Sequence, residues 1–177
     1  MPTIACKPQA DGTFRGWSVL FPGSLALGFR AIDDSDGVTH DSAASYITLA
    51  KGARISFPFF LQWGGGIPSL VTVNLVAQRG GAAHPQMQIG FFRGATAAFD
   101  AVMFNPGAAW GLATRNFATD PFTGAAWDPD DMARTEVCVQ NETGANGSND
   151  VTLLSASVVY TEPHNFDPIF PPSARLG

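Results

Sequence analysis

The sequence predicts an all-β protein: an antiparallel sandwich or barrel of about eight short strands, with one short helix and an extended C-terminal arm. Three observations carry this. Apolar and polar residues alternate with period two in several segments, which suits strands with one buried side. Clusters rich in Gly, Pro and Asn separate those segments, as at 63–68, 79–81, 105–107 and 144–150. Hydrophobic residues make up 45% of the 177, enough for a core without metals or disulfides, in a chain too short for a second full domain.

Taken in order, weak strand patterns at 17–21, 25–30 and 45–49 precede a clear one at 54–61, where Ile55, Phe57, Phe59 and Leu61 share a face. Pro58 lacks a ladder donor, so this strand belongs at an edge or carries a bulge. Residues 71–78 set Val71, Val73, Leu75 and Ala77 against Thr72, Asn74 and Gln78, and 86–93 repeat the pattern through Met87, Ile89 and Phe91. A weaker run spans 110–117. Asp128 then offers an N-cap, Pro129 suits the first helical position, and Asp130 and Asp131 complement the dipole, so a short helix covers 128–133 and bridges the sheets. Residues 134–140 alternate Arg134, Glu136 and Gln140 against Thr135, Val137 and Val139. The run from Val151 to Tyr160, apolar on both faces in places, reads as a central strand. The organisation is an N-terminal arm (1–16), a β-domain (17–162) and a C-terminal arm (163–177).

Charged residues are only 14%, against roughly 25% in an average soluble protein, so much of the surface is neutral and favours assembly, including a homo-oligomer. A net charge of -5 without a basic stripe argues against nucleic acid. The N-terminus has no secretory pattern, and no run of about 18 apolar residues would span a membrane. Neither sequon, Asn141-Glu142-Thr143 or Asn146-Gly147-Ser148, carries weight without secretion. Cys6 and Cys138 lack the spacing of a metal or redox pair and read as free thiols.

No catalytic centre, cofactor site or metal site is expected. The acidic run Asp33-Asp34-Ser35-Asp36 lacks the ligand spacing and terminal Glu of a calcium loop. His40, His84 and His164 stand far apart, and no nucleophile elbow or zinc-protease motif occurs. Gly64-Gly65-Gly66 is followed by neither lysine nor a helix. Trp17, Trp63, Trp110 and Trp127, with 14 Phe, provide material for a sugar-stacking platform, although most must fill the core.

Three segments in order resemble jelly-roll proteins of tailed bacteriophage particles: Asp33 to Ile47, Thr119 to Asp131 with its Trp127 and acidic helix, and the closing strand Val151 to Glu162. The chain departs from that pattern after Met132-Ala133, where a leucine-bearing helix and a glycine are missing. The resemblance implies a jelly-roll-like β-sandwich that is not an enzyme. It implies a virion component assembled in the bacterial host cytoplasm, chiefly a capsid-associated decoration or head-fibre-base protein, with a neck or tail position as the alternative. Its partners would be major capsid or neck and tail proteins. Related jelly rolls serve as carbohydrate-binding modules, so host surface glycan is a second expected partner.

The prolines of 163–177 deny the tail both a helix and a central strand. Phe166, Ile169 and Phe170, with Arg175 at the rim, are the residues expected to anchor it on a neighbouring subunit.

Overall fold

The computed structural model describes residues 3–6, 8, 10–21, 29, 32, 46–58, 67–80, 85–142 and 151–161. Among these described residues, ten strands and one helix follow one another as β1 (Thr3–Cys6), β2 (Trp17–Phe21), β3 (Tyr46–Leu49), β4 (Arg54–Pro58), β5 (Leu70–Arg79), β6 (Gln86–Arg93), β7 (Thr96–Phe99), β8 (Gly111–Phe117), α1 (Pro129–Met132), β9 (Thr135–Glu142) and β10 (Val151–Thr161). They form two antiparallel sheets. One runs β2-β3-β10-β5-β8, with β1 added to β10, and the other runs β4-β9-β6-β7.

The pairing resolves the choice between sandwich and barrel. β3 pairs with β10, β4 with β9, β5 with β8, and β6 with β7, all antiparallel. These are the nested rungs of one long hairpin whose tip is the β6–β7 turn, wound so that successive rungs fall in alternate sheets. That winding is a jelly roll. Gly94 sits at the tip with φ 63°, in the left-handed region that a tight turn requires.

Strand alternation builds the core. Ile47, Leu49, Val71, Val73, Leu75, Ala77 and Ala113 from one sheet meet Ile55, Phe57, Met87, Ile89, Phe91, Val137 and Val139 from the other. Each large aliphatic or aromatic side chain so buried stabilises the fold by about 1.5–3 kcal/mol relative to exposure. Both cysteines are buried and form no disulfide with one another.

One end of the sandwich is closed where the chain crosses from β8 to β9. Asp128 caps α1 by accepting from the amides of Asp130 (2.8 Å) and Asp131 (3.3 Å), with Pro129 opening the helix. Trp127 and Met132 are both sealed into the core. The Trp127 ring meets Phe91 edge-on at 5.2 Å, and its Nε1 donates to the Phe117 carbonyl at 3.1 Å. Arg93 ties this end together: Nη1 donates to Asp120 at 2.9 Å and Asp131 at 3.0 Å, and Nε donates to the Thr135 hydroxyl at 2.8 Å. Its guanidinium lies over the Phe122 ring.

Several details differ from the sequence reading. The stretch read as an N-terminal arm contains β1, which pairs with β10, and a segment at 12–16 that lies along β4. β7 is a strand of its own, which the alternation pattern did not register because its four residues, Thr96-Ala97-Ala98-Phe99, carry little apolar contrast. Arg134 precedes β9 and belongs to the helix end, donating to the Asp130 carbonyl and to Asp131. β4 occupies the edge that Pro58 suggested; Phe59, Leu61 and most of 25–30 lie outside the described residues.

Candidate functional site

The residues proposed as anchors, Phe166, Ile169, Phe170 and Arg175, lie outside the described residues, as do the acidic run at 33–36, all three histidines, Trp63 and the Gly64–Gly66 triplet. The second acidic group is described and is structural: Asp128 caps α1, Asp131 holds Arg93 and Arg134, and Asp130 lends its carbonyl to Arg134. Among the described residues no group of three His, Cys, Asp or Glu side chains could hold a metal ion. No described helix is long and apolar enough to cross a membrane.

The chemistry-bearing surface is instead the outer face of the four-stranded sheet. Period two turns Arg54, Ser56 and Pro58 of β4 away from the core, together with Glu136, Cys138 and Gln140 of β9, Gln86, Gln88, Gly90 and Phe92 of β6, and Ala97 and Phe99 of β7. The register sorts them into rows across the strands. Arg54, Gln140 and Gln88 form one row, and Pro58, Glu136, Phe92 and Ala97 form another. Between them Ser56, Cys138 and Gly90 form a row of small residues that ends at Phe99.

The small row lets larger groups settle onto the sheet. Phe99 lies against Gly90, where an added Cβ would fall on the Ala98 carbonyl and within 2.6 Å of Phe99 Cα. From the opposite side comes Phe14, carried by the segment that covers the β4 edge. Gly12 N donates to the Ser56 carbonyl at 2.8 Å, Ser56 N to the Phe14 carbonyl at 3.0 Å and Gly16 N to the Arg54 carbonyl at 2.8 Å. This edge is therefore paired rather than bare. Phe14 N also donates to Ser56 Oγ at 3.0 Å, and its ring packs edge-on against Phe92 at 4.7 Å. Glu136 fixes the same segment, accepting from Thr13 N at 2.8 Å, from the Thr13 hydroxyl at 3.0 Å and from the Ser56 hydroxyl.

Arg54 lies between the two rings, its guanidinium carbon 5.8 Å from the Phe14 centroid and 5.3 Å from that of Phe99. Its Nε donates to Gln140 Oε1, and Gln140 Nε2 donates on to Glu142 at 2.6 Å. The rings, Arg54 and Gln88 remain partly exposed, while Ser56, Cys138 and Gly90 are buried beneath them. Burial pushes the Cys138 thiol up to about 12, with nearby Arg54 pulling it down and Glu136 pushing it further up. It stays protonated near neutral pH and is no nucleophile there. The surface thus offers two aromatic rings, a guanidinium and the Gln88 carboxamide.

The outer face of the six-stranded sheet is different. There Thr114 donates to Asn74 and Thr72 to Asn116, each at 2.8 Å, and hydroxyl and amide satisfy one another across β5 and β8.

No protein-family model matches the chain, and no curated protein matches it significantly. Solved structures do align. The N-terminal cellulose-binding domain of Cellulomonas fimi β-1,4-glucanase C aligns at 12% identity over 75% of this chain and 86% of that one, with a TM-score of 0.43. A CBM4 structure aligns at 18% identity over 66% and 70%, with a TM-score of 0.41. A family 16 carbohydrate-binding module aligns at 8% identity over 66% and 77%, with a TM-score of 0.38. With every score below one half, the fold assignment rests on the strand order itself.

The sequence reading missed the platform's principal residues, Arg54, Phe14 and Phe99. Its alternation had already set Glu136 and Gln140 on the polar side of β9. The same count in 54–58 places Arg54 beside them once β4 and β9 are paired. Nothing local announces the fold-over of Phe14 or the short strand bearing Phe99.

Proposed function

We propose that this chain is a non-catalytic binding domain that recognises carbohydrate on the outer face of its four-stranded sheet. One observation carries the reading: Phe14, Phe99, Arg54, Gln88 and Gln140 are gathered into a single patch over a row of small residues. A sugar ring presents C–H faces that stack on aromatic rings and hydroxyls that need donors and acceptors fixed around them. The patch supplies both. The nucleophile-type groups beneath it, Ser56 and Cys138, are buried, one engaged by Glu136 and the other protonated.

Affinity electrophoresis against a panel of soluble polysaccharides, followed by sizing of the polymers, tests this. The expected result is saturable binding without shortening, weakened about tenfold or more by Phe99→Ala. Absence of binding across the panel contradicts the reading, and shortened polymer contradicts its non-catalytic part.

The order of the acidic turn, the Thr119–Asp131 segment and the closing strand supports a second reading, in which the domain is a bacteriophage virion component. A virion domain that grips host glycan satisfies both readings. Mass spectrometry of purified particles decides the second: presence in stoichiometric amount supports it, and absence removes it.

A further inference from the structure

We infer that the ligand of this face carries a carboxylate, and that Arg54 selects uronate-bearing polysaccharide over neutral polymer. The inference rests on the carbohydrate reading above and adds a charge requirement to it.

Arg54 differs from the three arginines that the structure holds in ion pairs. Arg93 is paired with Asp120 and Asp131, Arg115 with Asp100, and Arg134 with Asp131. Arg54 is half-buried, yet no carboxylate among the described residues lies within ion-pair distance, although acids outnumber bases 15 to 10 in the chain. The nearby carboxylates are engaged elsewhere, Glu136 by Thr13 and Ser56 and Glu142 by Gln140. A guanidinium drawn partly out of water without a counter-charge is costly, and an arriving anion relieves that cost.

The geometry also defines the anion's shape. Nε is occupied by Gln140 Oε1, and the rings of Phe14 and Phe99 flank the guanidinium. The two Nη groups donate to nothing among the described residues. Held this way, they form a pre-oriented planar fork. Approach in the plane of the fork suits a carboxylate, which accepts two parallel N–H bonds from it. Gln140, buried and held between Arg54 and Glu142, fixes the fork from below, and the partly exposed Gln88 continues the same cross-strand row, its Oε1 open to a hydroxyl of the same sugar while its Nε2 reaches the Asp100 carbonyl at 3.5 Å.

The test compares binding to polygalacturonate, alginate and hyaluronan with binding to the carboxyl-reduced form of each, for the full chain and for Arg54→Gln and Arg54→Lys. The wild type is expected to bind at least one uronate polymer roughly tenfold or more tighter than its reduced form. Arg54→Gln should abolish that preference. Arg54→Lys should lose most of it despite keeping the charge, because a single ammonium lacks the fork. Free glucuronate should compete and free glucose should not, a readout that needs no variant and stands even where a variant fails to fold. Equal affinity for acidic and reduced polymers overturns the inference and leaves the carbohydrate reading intact. Binding to neither form overturns both.

Discussion

Trp127 fills the closed end of the sandwich at 1% exposure, and its indole N–H satisfies a carbonyl of β8. Trp127→Ala removes both the filled volume and that hydrogen bond. It should cost about 3–5 kcal/mol, measured by chemical denaturation, and an unchanged midpoint would show that the ring does not seal the core. Asp128→Ala should cost only about 1 kcal/mol, because it removes a cap and leaves the packing alone. The cap was legible in the sequence because capping is local: Asp, Pro and two further acids within four positions have few other uses. The partners of Arg93 were not legible, since Asp120 lies 27 residues away and Asp131 lies 38 away, and only packing brings them together. Cys138 provides a pH signature. Its thiol is raised from 9.0 to about 12, so the unfolded chain releases the proton first. The folded state holds more protons in that window, so stability is intact below about pH 9 and falls as pH rises towards 12. Comparing denaturation of the wild type and Cys138→Ala across that range should show a steeper decline in the wild type. Identical slopes would mean that the thiol is not shielded.

At the scale of elements, β6 and β7 show where strand patterning succeeds and where it fails. The run through Met87, Ile89 and Phe91 announces β6, whereas β7 is held by its register with β6 and by Phe99 resting on Gly90. Gly90→Ala should therefore force β7 away from β6 at the end of their ladder opposite the Gly94 turn. The expected cost is about 1–3 kcal/mol, with loss of amide hydrogen-exchange protection in 96–99 ahead of the other strands. Unaltered protection there would show that the two strands have room to spare. β1 escaped the sequence reading for a related reason. Thr3-Ile4-Ala5-Cys6 is too short to show a period, and β10 supplies the partner that makes it a strand. Residues 12–16 have no strand pattern at all, yet they dress the β4 edge through three backbone hydrogen bonds. Pro58 correctly marked that strand as an edge, because an absent donor is visible in one residue; what covers the edge is not.

At the scale of the whole molecule, nested pairing makes one hairpin into two sheets with two unlike outer faces. Repeated turn signals and period two were sufficient for the all-β class, while the winding order depends on contacts between distant strands, which no single segment encodes. The same limit applies to the proposed platform. Its carboxamides were visible as the polar side of alternating strands, but its rings and guanidinium converge from β4, β7 and a segment near the N-terminus. The face of the four-stranded sheet presents rings and a guanidinium whose Nη groups have no partner among the described residues, while on the opposite face hydroxyls and amides meet across β5 and β8. Function should follow that asymmetry. The most direct measurement is a two-dimensional 1H–15N NMR titration of the full chain with oligosaccharides of a polymer it binds. The account predicts saturable shifts at Arg54 Nε and at the side-chain amides of Gln88 and Gln140, with those of Asn74 and Asn116 unmoved. Shifts confined to Asn74 and Asn116, on the six-stranded sheet, would contradict it.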